Sequence, residues 1–161
     1  MKRTQPQPKS TSAQTLSRFA TRAQHLLGLH GDVSISITSN REMQALNRRF
    51  RKSNKATDVL SFPSQTEGMA GDIAISLEIA ASNAETLGHS LATEVKILIL
   101  HGLLHLAGYD HEIDNGEMLT REAALRREFK LPVGLIERAQ VSSPKPSQVA
   151  ARKPVRGDRR A

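Results

Sequence analysis

The sequence predicts an α+β fold, in which a small mixed β-sheet of about three to four strands packs with about five helices. Segments with the two-residue period of a strand are mixed with segments of helical period, without the regular βαβ repetition of a parallel sheet. The 161 residues are long enough to bury one apolar core and too short for two ordinary domains. We therefore expect one domain, over residues 13–140.

The first half of this domain predicts a helix, a strand and a second helix. Apolar residues recur at helical spacing over 13–27, and Gly28 follows where a left-handed cap would end the helix. Residues 33–38 alternate between aliphatic and hydroxyl side chains, which is the pattern of a half-buried strand. Ser39 and Glu42 then form the capping-box pattern that opens a helix.

The second half predicts two more strands and three helices. The strands cover 57–62 and 71–76, and the first of the helices follows over 77–87. The next helix, over 90–107, is apolar nearly all round in its second half, which places it at the centre of the fold. An amphipathic helix over 118–129 ends before a proline.

The composition excludes several classes of protein. The chain has no cysteine, which excludes disulfides, thiolate nucleophiles and cysteine-ligated zinc, so that a metal would need His, Asp or Glu ligands. The longest aliphatic run, residues 97–100, is far shorter than the roughly 20 residues of a membrane-spanning helix, so we expect no membrane contact. The basic start has no apolar segment behind it, which predicts a cytoplasmic protein without a cleaved secretion signal.

The positive charge lies at the two ends of the chain. The net charge is +7, of which residues 1–14 carry +3 and residues 143–161 carry +5, so the remaining residues carry −1. Both ends are rich in Pro, Ser and Gln, which predicts a disordered N-terminal arm over 1–12 and a basic disordered tail over 141–161. Two roles remain open for these ends: they keep the protein in solution, or they bind polyanions by counterion release.

Three of the six histidines lie close together, within residues 101–111. His101 and His105 are four residues apart on the predicted central helix, so both imidazoles project from one face. Gly108 can adopt a positive φ, end the helix and return His111 toward the same point. Three neutral imidazoles suit zinc and leave its fourth position open for water, as in catalytic sites. The sequence therefore predicts one zinc ion per chain, with His101, His105 and His111 as ligands.

The same histidine spacing occurs in the metzincin proteases, whose second motif residue is the glutamate that serves as general base. Gly102 occupies that position here, and a glycine cannot move a proton between water and a leaving amine. A metalloprotease-like hydrolase without its usual base is therefore one alternative.

Two further segments accompany the histidine stretch 101–111: Leu-Asn-Arg-Arg-Phe-Arg at 46–51 leading to Thr-Asp-Val-Leu-Ser-Phe-Pro at 57–63, and Gly-Asp-Ile-Ala-Ile-Ser at 71–76. With these three segments, the chain resembles the YbeY family of bacterial endoribonucleases in ribosomal RNA maturation. These segments occur in the family's order, so the match extends over roughly residues 33–130.

The resemblance implies a zinc-dependent endoribonuclease that is specific for single-stranded RNA. Its expected roles are maturation of the 3′ end of small-subunit ribosomal RNA and ribosome quality control, with the small subunit as partner. A non-catalytic, ribosome-associated zinc module is a further alternative. The resemblance also implies that His101, His105 and His111 bind the zinc ion and that Arg51 is the functional arginine.

The residues themselves leave the role of Arg51 open. A guanidinium can donate two parallel hydrogen bonds to phosphodiester oxygens, but a run of arginines is also typical of a solvated helix end. Asp58 and Asp72 are predicted to cap turns rather than to orient a ligand histidine. With four Phe and one Tyr, the composition predicts that RNA is held mainly by phosphate contacts rather than by aromatic stacking.

Overall fold

The computed structural model describes residues 13–51 and 57–142, and the side chains within them apart from those of residues 51 and 139–142. It confirms the α+β class, with a three-stranded mixed sheet. The elements are α1 (Ala13–Leu26), β1 (Asp32–Thr38), α2 (Asn40–Arg51), β2 (Val59–Pro63), β3 (Met69–Ser76), α3 (Leu77–Leu87), α4 (Leu91–Leu106), α5 (Glu117–Glu128) and α6 (Leu135–Ser142). The predicted N-terminal arm, and the tail from residue 143 onward, lie outside the described residues.

The sheet has the order β1-β3-β2, with β1 parallel and β2 antiparallel to the central strand β3. Ile73 on β3 pairs with Ile35 on one side and with Ser61 on the other, and this face of the sheet packs against α4. Because side chains alternate across a strand, Ala74 and Leu60 point to the opposite face, where they contact Met43 of α2. The sheet therefore separates a large core from a small one.

The predicted central helix is α4. Its residues from Glu94 to Leu104 are buried, apart from Lys96, and it contacts both β2 and β3. Gly102 lets α4 approach the sheet closely, because a Cβ atom at this position would lie only 3.0 Å from side-chain atoms of Ile73 and Ser61. The Ser61 hydroxyl donates a hydrogen bond of 3.0 Å to the Gly102 carbonyl. The middle of α4 is thus held against the sheet by close packing at Gly102 and by one buried hydrogen bond.

Local capping signals place the helix ends near their predicted positions. The Ser39 hydroxyl accepts from the Glu42 amide at 3.2 Å, as the capping-box pattern indicates. Ser90 caps α4 by accepting from Thr93, and Gly88 ends α3 in the left-handed conformation with φ 72°. Within residues 13–51 and 57–142, no single helix is long and apolar enough to cross a membrane, and only the pair α3 and α4, bent by 115°, passes that test together.

The sequence patterns did not predict α6. Its attachment is partly apolar, since Ile136 is buried in the main core, and partly polar. Both guanidinium nitrogens of Arg138 donate to the buried carboxylate of Glu94 on α4, each at 2.7 Å. A second ion pair joins Glu137 to Arg126 of α5 at 3.0 Å. With eight residues, α6 is shorter than the window over which apolar periodicity reveals a helix.

Candidate metal centre

Three histidine side chains converge at the C-terminal end of α4. His101 and His105 lie on the helix itself, and His111 lies in the turn that follows. One nitrogen from each ring lies within 4.8 Å of the others. His101 is buried, His105 is half-buried and His111 is exposed, so the group opens to solvent on the side of His111. The predicted convergence of the three rings is confirmed.

The turn after α4 brings His111 back to the helix. Gly108 has the predicted positive φ, at 100°, and the Tyr109 amide donates to the Leu104 carbonyl at 3.1 Å. Asp110 continues the reversal, because its carboxylate accepts from the Glu112 amide at 3.1 Å. Tyr109 and Asp110 thus shape the turn that returns His111 to the helix.

In His101 and His105, the outer nitrogen, Nδ1, points away from the other two histidines and has a hydrogen-bond partner. His101 Nδ1 lies 2.8 Å from Oε2 of Glu122, and His105 Nδ1 lies 3.0 Å from the Tyr109 carbonyl oxygen. Because a carbonyl only accepts, Nδ1 of His105 carries the proton and its Nε2 keeps a free lone pair. Burial, together with the electrostatic effect of nearby His101 and His111, lowers the pKa of His105 to about 4. His105 is therefore neutral at pH 7.

The inner nitrogens, Nε2 of His101 and of His105, face each other, and their contact shows whether the site fits a metal ion. Nε2 of His101 and Nε2 of His105 lie 3.1 Å apart. In a neutral His101 whose Nδ1 donates to Glu122, Nε2 carries a lone pair that faces the lone pair on Nε2 of His105. Two such lone pairs repel unless a cation lies against them. The donor set of three imidazoles therefore fits a bound metal ion.

The sequence analysis missed Glu122. Its side chain is 1% exposed, and its second oxygen, Oε1, accepts from the Ile136 amide at 2.8 Å. Gly134 leaves room for this carboxylate, since a Cβ atom there would lie 2.6 Å from Oε1. A signal for Glu122 was present, because it shares the apolar face of α5 with buried Met118 and Leu125. A glutamate on such a face needs buried hydrogen-bond partners.

A sequence model of the family described as Endoribonuclease YbeY matches residues 2–130. The chain belongs to the YbeY endoribonuclease family. A relative named Endoribonuclease YbeY from Koribacter versatilis (strain Ellin345) is 55% identical over 142 residues, which cover 88% of this chain and 91% of the relative. A relative of the same name from Solibacter usitatus (strain Ellin6076) is 46% identical over 133 residues, covering 83% and 90%.

The fold is also similar to a solved structure, the solution structure of TM1509 from Thermotoga maritima. The TM-score is 0.53 at 27% sequence identity, and the match covers 77% of this chain and 88% of the other. The predicted YbeY family membership and the predicted endoribonuclease function are confirmed by these comparisons. The metalloprotease-like and non-catalytic alternatives are not favoured.

The remaining residues singled out in the YbeY-like motifs are not members of the histidine group. Arg51 is the last residue of α2, and its side chain lies outside the described part of the structure. Asp58 accepts from the Val59 amide at 2.9 Å, in keeping with its predicted capping role. Asp72 is exposed and lines a cleft on the face of the sheet opposite α4. Within the described hydrogen bonds, Glu122 takes the role of histidine partner instead of either aspartate.

Proposed function

We propose that this chain cleaves single-stranded RNA with one zinc ion held by His101, His105 and His111. We further propose that its substrate is the 3′ end of small-subunit ribosomal RNA and that it acts in ribosome quality control. The observation that carries the metal assignment is the convergence of three imidazole nitrogens, two of which belong to rings whose outer nitrogens are already hydrogen-bonded. Rings fixed in this way are typical of metal ligands.

A zinc ion bound there would supply Lewis acidity, which stabilises charge on a phosphate oxygen and lowers the pKa of water. The protein residues do the positioning. Glu122 orients His101 from the buried side, and the Tyr109 carbonyl holds His105 in the tautomer whose inner nitrogen is free. Arg51 is proposed to donate to the phosphate oxygens on which negative charge develops.

The surroundings of Gly102 support RNA hydrolysis over peptide hydrolysis. This glycine faces Ile73 and Ser61 of the sheet, so the position that carries the metzincin base has no room for a glutamate. The exposure of His111 supports a catalytic role over a purely structural one, because structural zinc sites are closed by four protein ligands. Three candidate ligands converge within the described part of the chain.

The location and the protein partners are further proposals. We place the protein in the cytoplasm, with the small ribosomal subunit as partner. The +5 charge of residues 143–161 supports this, since it would attract a particle rich in phosphate.

Metal analysis followed by a nuclease assay tests the proposed function. We expect about one zinc per chain in protein purified without added metal, cleavage of single-stranded RNA, and loss of that cleavage with a chelator. His105→Ala should lose most of the zinc and the activity while remaining folded. His25→Ala, which removes an exposed histidine on α1, is the matched control. Wild-type protein without a stoichiometric transition metal, or cleavage that persists in chelator, would overturn the proposal.

A further inference from the structure

A cleft of about 950 Å³ opens on the face of the sheet opposite α4. Its floor combines small and large side chains of neighbouring strands. Ser36 pairs with Ala74 across β1 and β3, and Asp72 pairs with Phe62 across β3 and β2, so these side chains point the same way. The small pair leaves a hollow beside the Phe62 ring, and α2 forms the wall above it.

An exposed aromatic ring lies at this cleft. Phe50 of α2 is 56% exposed, and its ring centroid lies 5.1 Å from that of Phe62, with the planes tilted by 55°. The guanidinium carbon of Arg49 lies 5.2 Å from the Phe50 centroid. An aromatic ring left open to solvent beside a cation is typical of surfaces that stack nucleobases and contact the attached phosphate.

The charge inside the cleft favours a base over a phosphate. Among the described residues that line it there is no lysine or arginine, whereas Glu42 and Asp72 contribute carboxylates. Carboxylates repel phosphate, but they accept hydrogen bonds from the exocyclic amino groups of adenine, cytosine and guanine. Asp72 stands beside the Phe62 ring, so a base packed on the aromatic pair would present its edge to this carboxylate.

The cleft and the helix that carries His101 and His105 both contact β2, which is an edge strand of the sheet that the described residues form. Ser61 lines the cleft and also donates to the carbonyl of Gly102, the residue that follows His101. Strand β2 therefore lies between the cleft and the helix that carries His101 and His105. A single-stranded RNA at the histidines can pass around this edge and place a neighbouring base in the cleft.

We propose that the cleft binds one unpaired nucleobase of the RNA substrate, stacked on Phe50 and recognised by Asp72 through an exocyclic amino group. This deepens the proposed function and rests on it for the RNA substrate. It differs from the composition-based expectation that RNA is held mainly by phosphate contacts. The four Phe of the chain are few, but two of them meet at this cleft.

The test uses short single-stranded RNAs in which one 2-aminopurine, a fluorescent base with an exocyclic amino group, is moved along the sequence. We expect its fluorescence to be quenched at one position on binding, measured in chelator so that no cleavage occurs. Loss of one base–aromatic stack weakens binding by about 5- to 150-fold, and Phe50→Leu should fall in that range. Phe50→Tyr should retain the affinity. Phe129→Leu, which removes one ring of a different aromatic pair, is the matched control.

Two further arms identify the base contact. An abasic site at the quenched position should weaken binding to the wild type but not to Phe50→Leu. Uracil at that position should weaken binding to the wild type and not to Asp72→Asn. The base site would be overturned if 2-aminopurine were quenched at no position. It would also be overturned if Phe50→Leu lowered the affinity for intact RNA and for abasic RNA by the same factor relative to the wild type. Position-specific quenching by a protein that never cuts RNA with zinc present would support the base site and contradict the proposed function instead.

Discussion

Nδ1 of His101 lies 2.8 Å from Oε2 of Glu122, and the Ile136 amide donates to the other oxygen of the same carboxylate at 2.8 Å. Glu122 therefore connects a candidate metal ligand on α4 to the backbone just inside α6. A carboxylate that accepts from a ligand histidine fixes the ring orientation and raises the basicity of the metal-binding nitrogen. The metal centre thus depends on residues well outside the histidine stretch.

Glu122→Gln should weaken zinc binding. A glutamine has one acceptor oxygen where Glu122 serves two donors, so either His101 or the Ile136 amide would lose its partner. We expect the zinc affinity to fall by about 10- to 100-fold, measured by competition with a chelating dye. Glu128→Gln, on the exposed part of the same helix, should keep the wild-type affinity. Equal zinc affinities for wild type and Glu122→Gln would contradict the positioning role.

Arg51→Ala should lower RNA cleavage far more than stability. Loss of a contact made to charge that develops in the transition state costs about 2.7–4 kcal/mol, or roughly 100- to 1000-fold in rate. Substitutions at exposed helix ends usually change stability by about 0.5 kcal/mol. Single-turnover cleavage and urea unfolding measure the two effects, with Arg41→Ala at the other end of α2 as control. Equal cleavage rates for wild type and Arg51→Ala would leave Arg51 as a solvated helix-end residue.

Glu94 should make the stability depend on pH in the acid range. Burial raises the pKa of its carboxyl, but hydrogen bonds from Arg138, His89 and Asn83 and the Arg138 charge lower it more, so the net pKa lies below its ordinary value of 4.5. A carboxyl with a lowered pKa in the folded state stabilises the protein above its unfolded pKa, and this stabilisation is lost as the pH falls through the folded pKa.

Urea unfolding at a series of pH values checks this. Glu94→Gln should lose about 3–5 kcal/mol at pH 7, because it leaves the Arg138 guanidinium without its buried partner. The difference between wild type and variant should shrink as the pH falls below about 4.5. A difference that stays constant with pH would show that the Glu94 carboxylate is not the group responsible.

Gly102→Glu should destabilise the protein without creating a protease. Even a Cβ atom at this position would crowd Ile73 and Ser61, and overpacking of this kind typically costs about 1–3 kcal/mol before any buried charge is added. Gly102→Ala should show an intermediate shift of the urea midpoint. A stable Gly102→Glu protein that cleaved unstructured peptides in a chelator-sensitive way would indicate a closer relation to the metzincins.

A chain ending at Ser142 should bind RNA with a weaker salt dependence. The deletion removes a net charge of +5. Each cation that neutralises a phosphate of single-stranded RNA contributes about 0.7 to the slope of log affinity against log salt, so three engaged cations would change the slope by about 2. RNA titrations at several salt concentrations measure it. If the full chain and the shortened chain gave the same slope, the tail would serve solubility alone.

The histidine group could be predicted because its geometry is local. A helix, a glycine and a spacing of ten residues bring His101, His105 and His111 together whatever surrounds them. Glu122 could not be assigned in the same way, because its partner His101 is 21 residues away and the two meet only when α5 packs on α4. The contact between Phe50 and Phe62 could not be predicted for a similar reason. The composition gives the number of aromatic residues but not their positions in the fold.

During synthesis α6 is the last described element to leave the ribosome, because a chain emerges from its N-terminus. A nascent chain that has emerged as far as α5 already contains the three histidines and Glu122. It lacks the Ile136 amide that fixes Glu122 and the Arg138 guanidinium that neutralises Glu94 on α4. The hydrogen bonds of Glu122 and Glu94 are therefore complete only when residues 134–138 have emerged. This ribonuclease would thus be completed late in its own translation, close to the particle whose RNA it is proposed to cut.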